Sequence, residues 1–150
     1  MGPVITILFS QSFTIHGLWP SQETYHDYGD FNFNLFKGEL LQEMYNYWPP
    51  QPQSGGIPHF IWEYEWESNG HRFANLMLDL HPSNYVVYGI KKRNEELQIE
   101  YFRKTIEFYK QLNVRKVSQK TYTKDEFSRL TKIPKNSFYF VCLENGVTFR

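Results

Sequence analysis

Two short segments of the sequence combine titratable side chains with glycine, tryptophan and proline. Residues 13–20 read FTIHGLWP, in which His16 precedes Gly17, a residue that permits another group to approach the backbone closely. Residues 60–71 read FIWEYEWESNGH and are dense in carboxylates. A histidine can either take up or give up a proton near neutral pH, because its unperturbed pKa lies there. The two segments are therefore the candidate positions for acid–base chemistry.

These segments resemble the two active-site motifs of the ribonuclease T2 family. His16 to Pro20 reproduces the first family motif, His-Gly-Leu-Trp-Pro, in full. The second family motif runs His-Glu-Trp-x-Lys-His-Gly-Thr-Cys, and this chain retains Glu65, Trp66 and Gly70 of it. The resemblance covers residues 13–112, and a weaker similarity continues over residues 122–143.

The resemblance implies cleavage of RNA by attack of a ribose 2′-hydroxyl on the adjacent phosphorus, which yields a 2′,3′-cyclic phosphate. Family members meet the need for proton transfer and for charge stabilisation with the first-motif histidine and with two histidines, a glutamate and a lysine of the second motif. By position, His16 matches one acid–base histidine, and Glu65 matches the glutamate that supports the phosphate site. Trp19, Pro20 and Trp66 match residues of the motifs that pack.

Three positions of the second motif depart from the family pattern. Tyr64, Ser68 and Asn69 stand where the phosphate-binding histidine, the lysine and the second acid–base histidine are expected. His71 could replace the missing histidine only if Gly70 ended the helix, because position 71 lies about 200° around a helix from position 69. With these changes, the resemblance favours a protein that has lost catalysis and serves as a structural or binding subunit of a larger assembly.

Two other functions stay open. A weak endoribonuclease would use His16 and Glu65 as its acid–base pair, and it would hold RNA partly through a set of basic residues. These residues are Lys91, Lys92, Arg93, Arg115 and Lys116. RNA could also bind without cleavage, through aromatic stacking and the basic C-terminal half. His16 could equally be a hydrogen-bonded residue under a strand end. Trp62 and Trp66 are expected to form a core stripe, and Glu63 and Glu67 a solvated face.

Composition predicts one domain, residues 1–150, with ample material for a core. Hydrophobic residues make up 41% of the chain and aromatic residues 19%, while 16 basic side chains balance 16 acidic ones. The two halves of the chain, however, carry opposite net charges. Residues 1–90 carry two basic and nine acidic side chains, a net charge of −7, whereas residues 91–150 carry fourteen and seven, a net charge of +7. Phosphate binding depends mainly on lysine and arginine, so a polyanion would prefer the second half.

A single cysteine, Cys142, excludes an intramolecular disulfide within this sequence, and Arg72 stands where the second family motif has its cysteine. The apolar N-terminal stretch has no positively charged start and no small-residue cleavage site, so it is predicted to form a strand rather than a signal peptide. No apolar run is long enough to span a membrane.

His26, His59 and His81 lack metal-ligand spacing. We expect an intracellular protein, in the cytosol or an organelle, with other protein subunits as partners and with neither cofactor nor metal.

These residues must be positioned by strands and helices, and the expected order of those elements predicts an α+β fold. The resemblance implies a central antiparallel sheet with several packed helices, trimmed at the C-terminus. Strands are expected over residues 4–9, 13–18, 85–88, 114–117, 137–143 and 147–149, the last two forming a hairpin. Helices are expected over residues 35–47, 59–69 (ended by Gly70), 95–112 and from the Thr123 capping box to before Pro134, with a loop over residues 51–58.

Overall fold

The structure is a computed structural model. It describes residues 5–9, 14–21, 26–49, 58–112, 114, 123–137, 140–143 and 146–149. The elements in chain order are β1 (Ile5–Phe9), β2 (Ile15–Pro20), α1 (Gly38–Tyr47), α2 (Pro58–Glu65), α3 (His71–Leu80), α4 (Ile90–Gln111), α5 (Lys124–Thr131), β3 (Phe140–Leu143) and β4 (Gly146–Phe149). Helices hold most of the described residues, and the predicted mixed α+β class is confirmed.

The strands pair in the order β2-β1-β4-β3, and every neighbouring pair is antiparallel. The predicted N-terminal strand and the C-terminal hairpin are both confirmed. β2 continues through Trp19 and Pro20, where the sequence predicted that it would stop. A proline fits there because β2 lies at the edge of this sheet, where a missing N–H costs no ladder hydrogen bond. A central position for the sheet remains a prediction.

The most regular helices follow their local signals. α5 begins with the predicted capping box, in which Thr123 accepts from the Glu126 N–H and Glu126 accepts from the Thr123 N–H. α4 is the long helix expected from the apolar periodicity, although it begins at Ile90, five residues earlier than predicted. α1 begins at Gly38 because residues 33–35 form a 3-10 turn instead, capped by the Asn32 side chain.

The prediction that Gly70 ends a helix is wrong. Residues 66–70 form one turn of π-helix that joins α2 directly to α3, so the helical segment continues from Pro58 to Leu80. Gly70 has helical backbone angles of φ −64° and ψ −37°. Its lack of a side chain serves packing instead, since a Cβ at this position would lie 2.0 Å from Cε3 of Trp66.

The predicted strand over residues 85–88 is also wrong. A 3-10 turn at Pro82–Asn84 leads into a hydrogen-bonded turn, and Val86 and Val87 are exposed to 77% and 80%. No strand of the described sheet lies beside them, and β propensity without a partner does not make a strand. The expected loop over residues 51–58 lies almost wholly outside the described residues, as does most of the expected strand over residues 114–117.

The core is built mainly from large aromatic side chains of the helices. Trp62 and Trp66 are fully buried, which confirms the predicted core stripe, and Glu63 and Glu67, which each follow one of them, are exposed, as predicted. The other large, fully buried side chains are Trp48, Tyr101, Phe102, Phe73, Tyr109, Phe127, Ile15, Leu18, Met44 and Leu97. None of the helices in the described ranges combines the length and apolar character needed to cross a bilayer.

Candidate active site

Two buried aromatic side chains fix the backbone of β2 where it carries His16. The Trp48 indole Nε1 donates to the His16 carbonyl over 3.0 Å. The Tyr101 hydroxyl donates to the Leu18 carbonyl over 3.2 Å. Both rings are fully buried in the core, so the strand is held on either side of Gly17 against α4 and the end of α1.

Gly17 makes room for the carboxyl group of Glu65. A Cβ at position 17 would lie 1.9 Å from Glu65 Oε1 and 2.5 Å from Cδ, which no side chain could occupy. The close approach expected at Gly17 is therefore realised, and the approaching group is the carboxyl at the end of α2. This contact brings the two motif segments together.

His16 and Glu65 face each other across this contact. His16 Nδ1 lies 3.8 Å from Glu65 Oε2, a separation beyond hydrogen-bond length. Nδ1 has no hydrogen-bond partner among the residues that the structure describes. The His16 side chain is 38% exposed, whereas that of Glu65 is completely buried. The imidazole is therefore accessible from solvent, and the carboxyl group lies behind it.

Burial favours the uncharged form of both groups. It raises the pKa of Glu65 to about 7, although hydrogen bonding by Asn69 and Trp19 partly offsets the effect. It lowers the pKa of His16, because an imidazolium would lose hydration there. Neither shift has a neighbouring lysine or arginine among its causes. The pair is a buried carboxyl that titrates near neutrality beside an imidazole, and not a persistent ion pair.

The three altered motif positions occupy different surroundings. Asn69 Nδ2 donates to Glu65 Oε1 over 3.0 Å, so the residue at the position of the second acid–base histidine holds the carboxyl group. Ser68 is half-buried on the same π turn. Tyr64 is 55% exposed on α2.

His71 lies in a separate cluster around Tyr28. Its Nδ1 accepts from the Tyr28 backbone N–H over 2.9 Å, and its ring stacks on the Tyr28 ring. The same ring packs at 4.9 Å, centroid to centroid, from Trp66. Only 6% of His71 is exposed, and burial lowers its pKa. Because the helix continues through Gly70, the condition that would let His71 replace the missing histidine is not met.

The remaining motif residues pack around the site. Pro20 is buried at the end of β2, and Trp19 is half-buried with its indole nitrogen inside, next to the Glu65 carboxyl. Trp66 Nε1 donates to the Gly29 carbonyl over 2.9 Å, which fastens the loop over residues 26–30 to the π turn.

The predicted basic residues lie at the start of α4 and beyond. Lys91 and Lys92 are exposed, and Lys92 pairs with Glu96 at 3.1 Å. The Arg93 guanidinium lies 5.6 Å from the centre of the Tyr28 ring. Within the described ranges no contact joins these three residues to His16 or Glu65. Arg115 and Lys116 lie outside the described residues.

Metal ligation has no support in the described part of the chain, where no three His, Cys, Asp or Glu side chains converge. His26 and His81 are exposed, and the side chain of His59 is not described. Sequence reasoning missed Trp48 and Tyr101 as positioning residues. Their hydrogen bonds reach 32 and 83 residues along the chain, so no local spacing could have indicated them.

The sequence is similar to those of known ribonucleases. The sequence profile of the Ribonuclease T2 family matches residues 5–138. Ribonuclease T2 of Sus scrofa is 36% identical over 77% of this chain and 50% of its own length. Ribonuclease T2 of Homo sapiens is 32% identical over 69% of the chain and 34% of its own length. Ribonuclease T2 of Aspergillus oryzae is 28% identical over 91% of the chain and 54% of its own length.

The chain thus spans about half the length, or less, of the curated relatives that it matches. Among solved structures, none matches the chain significantly.

Proposed function

Because the chain belongs to the ribonuclease T2 family, we propose that it is a member that has lost efficient RNA cleavage and serves as a structural or binding subunit of a larger assembly. The hydrogen bond from Asn69 to the fully buried Glu65 carries this proposal. An asparagine has no proton to transfer, and here it also fixes one oxygen of the carboxyl group that lies beside His16. The residue that would be the second acid–base group has become part of the packing.

The charge around the site supports the same conclusion. When RNA is cleaved, negative charge develops on the phosphoryl oxygens. A cation or strong hydrogen-bond donors must lie close by to stabilise that charge. Ser68 supplies no charge at the position of the family lysine. Glu63 and Glu67 project from the same helical segment and are exposed, so they would repel an approaching phosphate.

The test is an RNA cleavage assay on matched variants. Single-stranded RNA is incubated with the wild-type protein, with H16A and with the triple variant Y64H/S68K/N69H between pH 4 and pH 8. We expect 2′,3′-cyclic phosphate ends only with the triple variant, which restores the family residues on the same backbone. Cyclic phosphate ends from the wild-type protein that disappear in H16A would contradict the proposed loss of catalysis.

The subunit role has support in three exposed aromatic side chains. Tyr45 on α1 and Phe60 and Tyr64 on α2 are exposed to 42%, 57% and 55%, and aromatic residues are frequent anchors of protein interfaces. We expect the chain in a cell extract to migrate well above its mass of 18.1 kDa. F60S/Y64S should move it to the monomer position, while V87S, at an apolar side chain that is even more exposed but lies between α3 and α4, should not. A wild-type chain that migrates as a monomer would contradict this role.

The proposed compartment is intracellular, in the cytosol or an organelle. Its support is the single cysteine, Cys142, which leaves the chain without an intramolecular disulfide. Imaging of the tagged full-length chain in its own cells tests this, and recovery of the chain from the medium would overturn it.

A second candidate function is weak endoribonuclease activity, which one observation favours. The Glu65 carboxyl has a pKa of about 7 and lies 3.8 Å from the accessible His16 imidazole, so the pair could exchange protons near neutral pH. In that case the wild-type protein should release cyclic phosphate ends, and both H16A and E65Q should abolish them. E63Q, on the same helix but exposed, is the matched control and should retain the activity.

A further inference from the structure

A groove of about 480 Å³ lies between α3, α4 and the connecting residues 81–88. This volume is within the range of small-molecule sites, which is about 300–1,000 Å³. Its α4 wall is formed by residues four apart, so that they share one face of the helix. None of the residues that line the groove belongs to the two motif segments, so the groove is distinct from the His16–Glu65 site.

One end of the groove concentrates oxygen acceptors and aromatic rings. Tyr85, Tyr88, Glu96 and Glu100 line this end, and both carboxylates lie close enough for their charges to act on the Tyr85 hydroxyl. Tyr88 is 37% exposed, and the two carboxylate side chains are 30% and 21% exposed. A ligand that enters here would meet two carboxylates at a partly shielded position, where charge acts more strongly than in open water.

Each carboxylate keeps one oxygen available. Glu96 uses Oε1 in its ion pair with Lys92 at 3.1 Å, and Glu100 uses Oε2 in its ion pair with Arg103 at 2.6 Å. The second oxygens, Glu96 Oε2 and Glu100 Oε1, have no hydrogen bond or ion pair to any part of the chain that the structure describes. Within the described residues, two acceptors therefore remain for a ligand.

The local field at this end is negative despite those ion pairs. The pKa of the Tyr85 hydroxyl is raised first by burial and then by the charges of Glu100 and Glu96, while Arg103 acts weakly in the other direction. The remaining cation of the groove, Lys104, pairs with Glu107 at 3.2 Å, outside the groove. Positive charge is thus the charge that this end favours.

The other end of the groove is apolar. Phe73 and Met77 of α3 and Phe108 of α4 line it, and Phe73 is almost fully buried. Phe108 lies eight residues beyond Glu100 on α4, which corresponds to about 12 Å along the helix axis. The groove consequently offers a negative, aromatic end and an apolar end at a separation that a short hydrocarbon chain can span.

We propose that this groove binds a small amphipathic organic cation, namely a primary amine or guanidine that carries an apolar tail. The cationic head lies between the free oxygens of Glu96 and Glu100 and against the rings of Tyr85 and Tyr88, where ion pairing and cation–π attraction act together. The tail lies along Met77 and Phe108. This site is independent of the proposed function, because none of its residues belongs to the two motif segments.

The test is isothermal titration calorimetry of the whole chain with 4-phenylbutylamine, and with 4-phenylbutanol and 4-phenylbutyrate as neutral and anionic analogues. We expect the amine to bind at least tenfold more tightly than the alcohol, and the carboxylate not to bind. E100Q should weaken amine binding about tenfold and leave alcohol binding unchanged. E95Q removes the same charge from α4 outside the groove, and it should leave amine binding unchanged.

Three results would overturn the proposal. They are absence of amine binding to the wild-type protein, equal affinity for the amine and the alcohol, and equal weakening by E100Q and E95Q. The last would mean that the amine responds to the overall charge of α4 and not to the groove. Circular dichroism of each variant shows whether the fold is retained, and Y88A provides a second variant whose amine affinity should fall if the ring contacts the head.

Discussion

Substitution of Glu65 by glutamine should stabilise the protein at alkaline pH and have little effect at acidic pH. Burial raises the pKa of the carboxyl from 4.5 to about 7, which corresponds to about 3 kcal/mol. Between these two values the folded protein retains the proton and the unfolded chain has lost it. The free energy of unfolding therefore falls as the pH rises from 4.5 to about 7, and above that range the cost of the buried charge is fully present.

Glutamine carries no charge at any pH, so E65Q removes this cost. Relative to wild type, E65Q should gain up to about 3 kcal/mol above pH 7.5 and differ by less than about 1 kcal/mol at pH 4. The lowered pKa values of His16 and His71 give the opposite dependence, since the unfolded chain takes up their protons first as the pH falls. That contribution is common to both proteins and largely cancels in their difference.

The assay is urea unfolding followed by tryptophan fluorescence at pH 4, 5.5, 7 and 8.5. E63Q is the control, because Glu63 is exposed on the same helix and its loss should change stability by only a few tenths of a kcal/mol at every pH. The reasoning is refuted if E65Q differs from wild type by the same amount at pH 4 and pH 8.5, or if E65Q becomes relatively less stable as the pH rises.

Two further predictions concern packing and capping. G17A should lower the free energy of unfolding by about 1–3 kcal/mol, because its Cβ would overlap the Glu65 carboxyl, and G17A/E65A should recover much of this loss. A double-mutant cycle measured by urea unfolding checks this, and additive losses would contradict the contact. T123A should cost about 1 kcal/mol, because the Glu126 N–H loses its acceptor at the start of α5. Thermal unfolding checks it, and an unchanged midpoint would show that the capping box contributes nothing.

The elements that could be predicted are those whose signals are local. The capping box at Thr123 specifies the start of α5 within four residues, and the long apolar periodicity of α4 is visible without its partners. Gly70 shows why other elements could not be predicted. Its local signal is that of a helix end. The glycine is needed because the ring of Trp66 leaves no space for a side chain at position 70, and only the packed structure contains that information.

The candidate site likewise has features that the sequence predicted and features that it did not. The pairing of His16 with Glu65 followed from the motif resemblance, and the role of Gly17 followed from its small size. The hydrogen bond from Asn69 is compatible with its spacing of four residues from Glu65. The complete burial of Glu65 and its pKa near 7 could not be predicted. These properties arise from residues that converge from β2, α2 and α4, and no spacing within one segment encodes them.

The π turn at residues 66–70 makes the site, and not the core, sensitive to chain length. It holds one residue more than regular α-helix would need between α2 and α3, because each π residue turns the chain through less than the 100° of an α residue. A deletion at Ser68 or Asn69 should therefore convert this segment to regular α-helix and leave the phase of α3 nearly unchanged. Phe73 and Ala74 would stay in the core, whereas the side chain that holds the Glu65 carboxyl would be displaced.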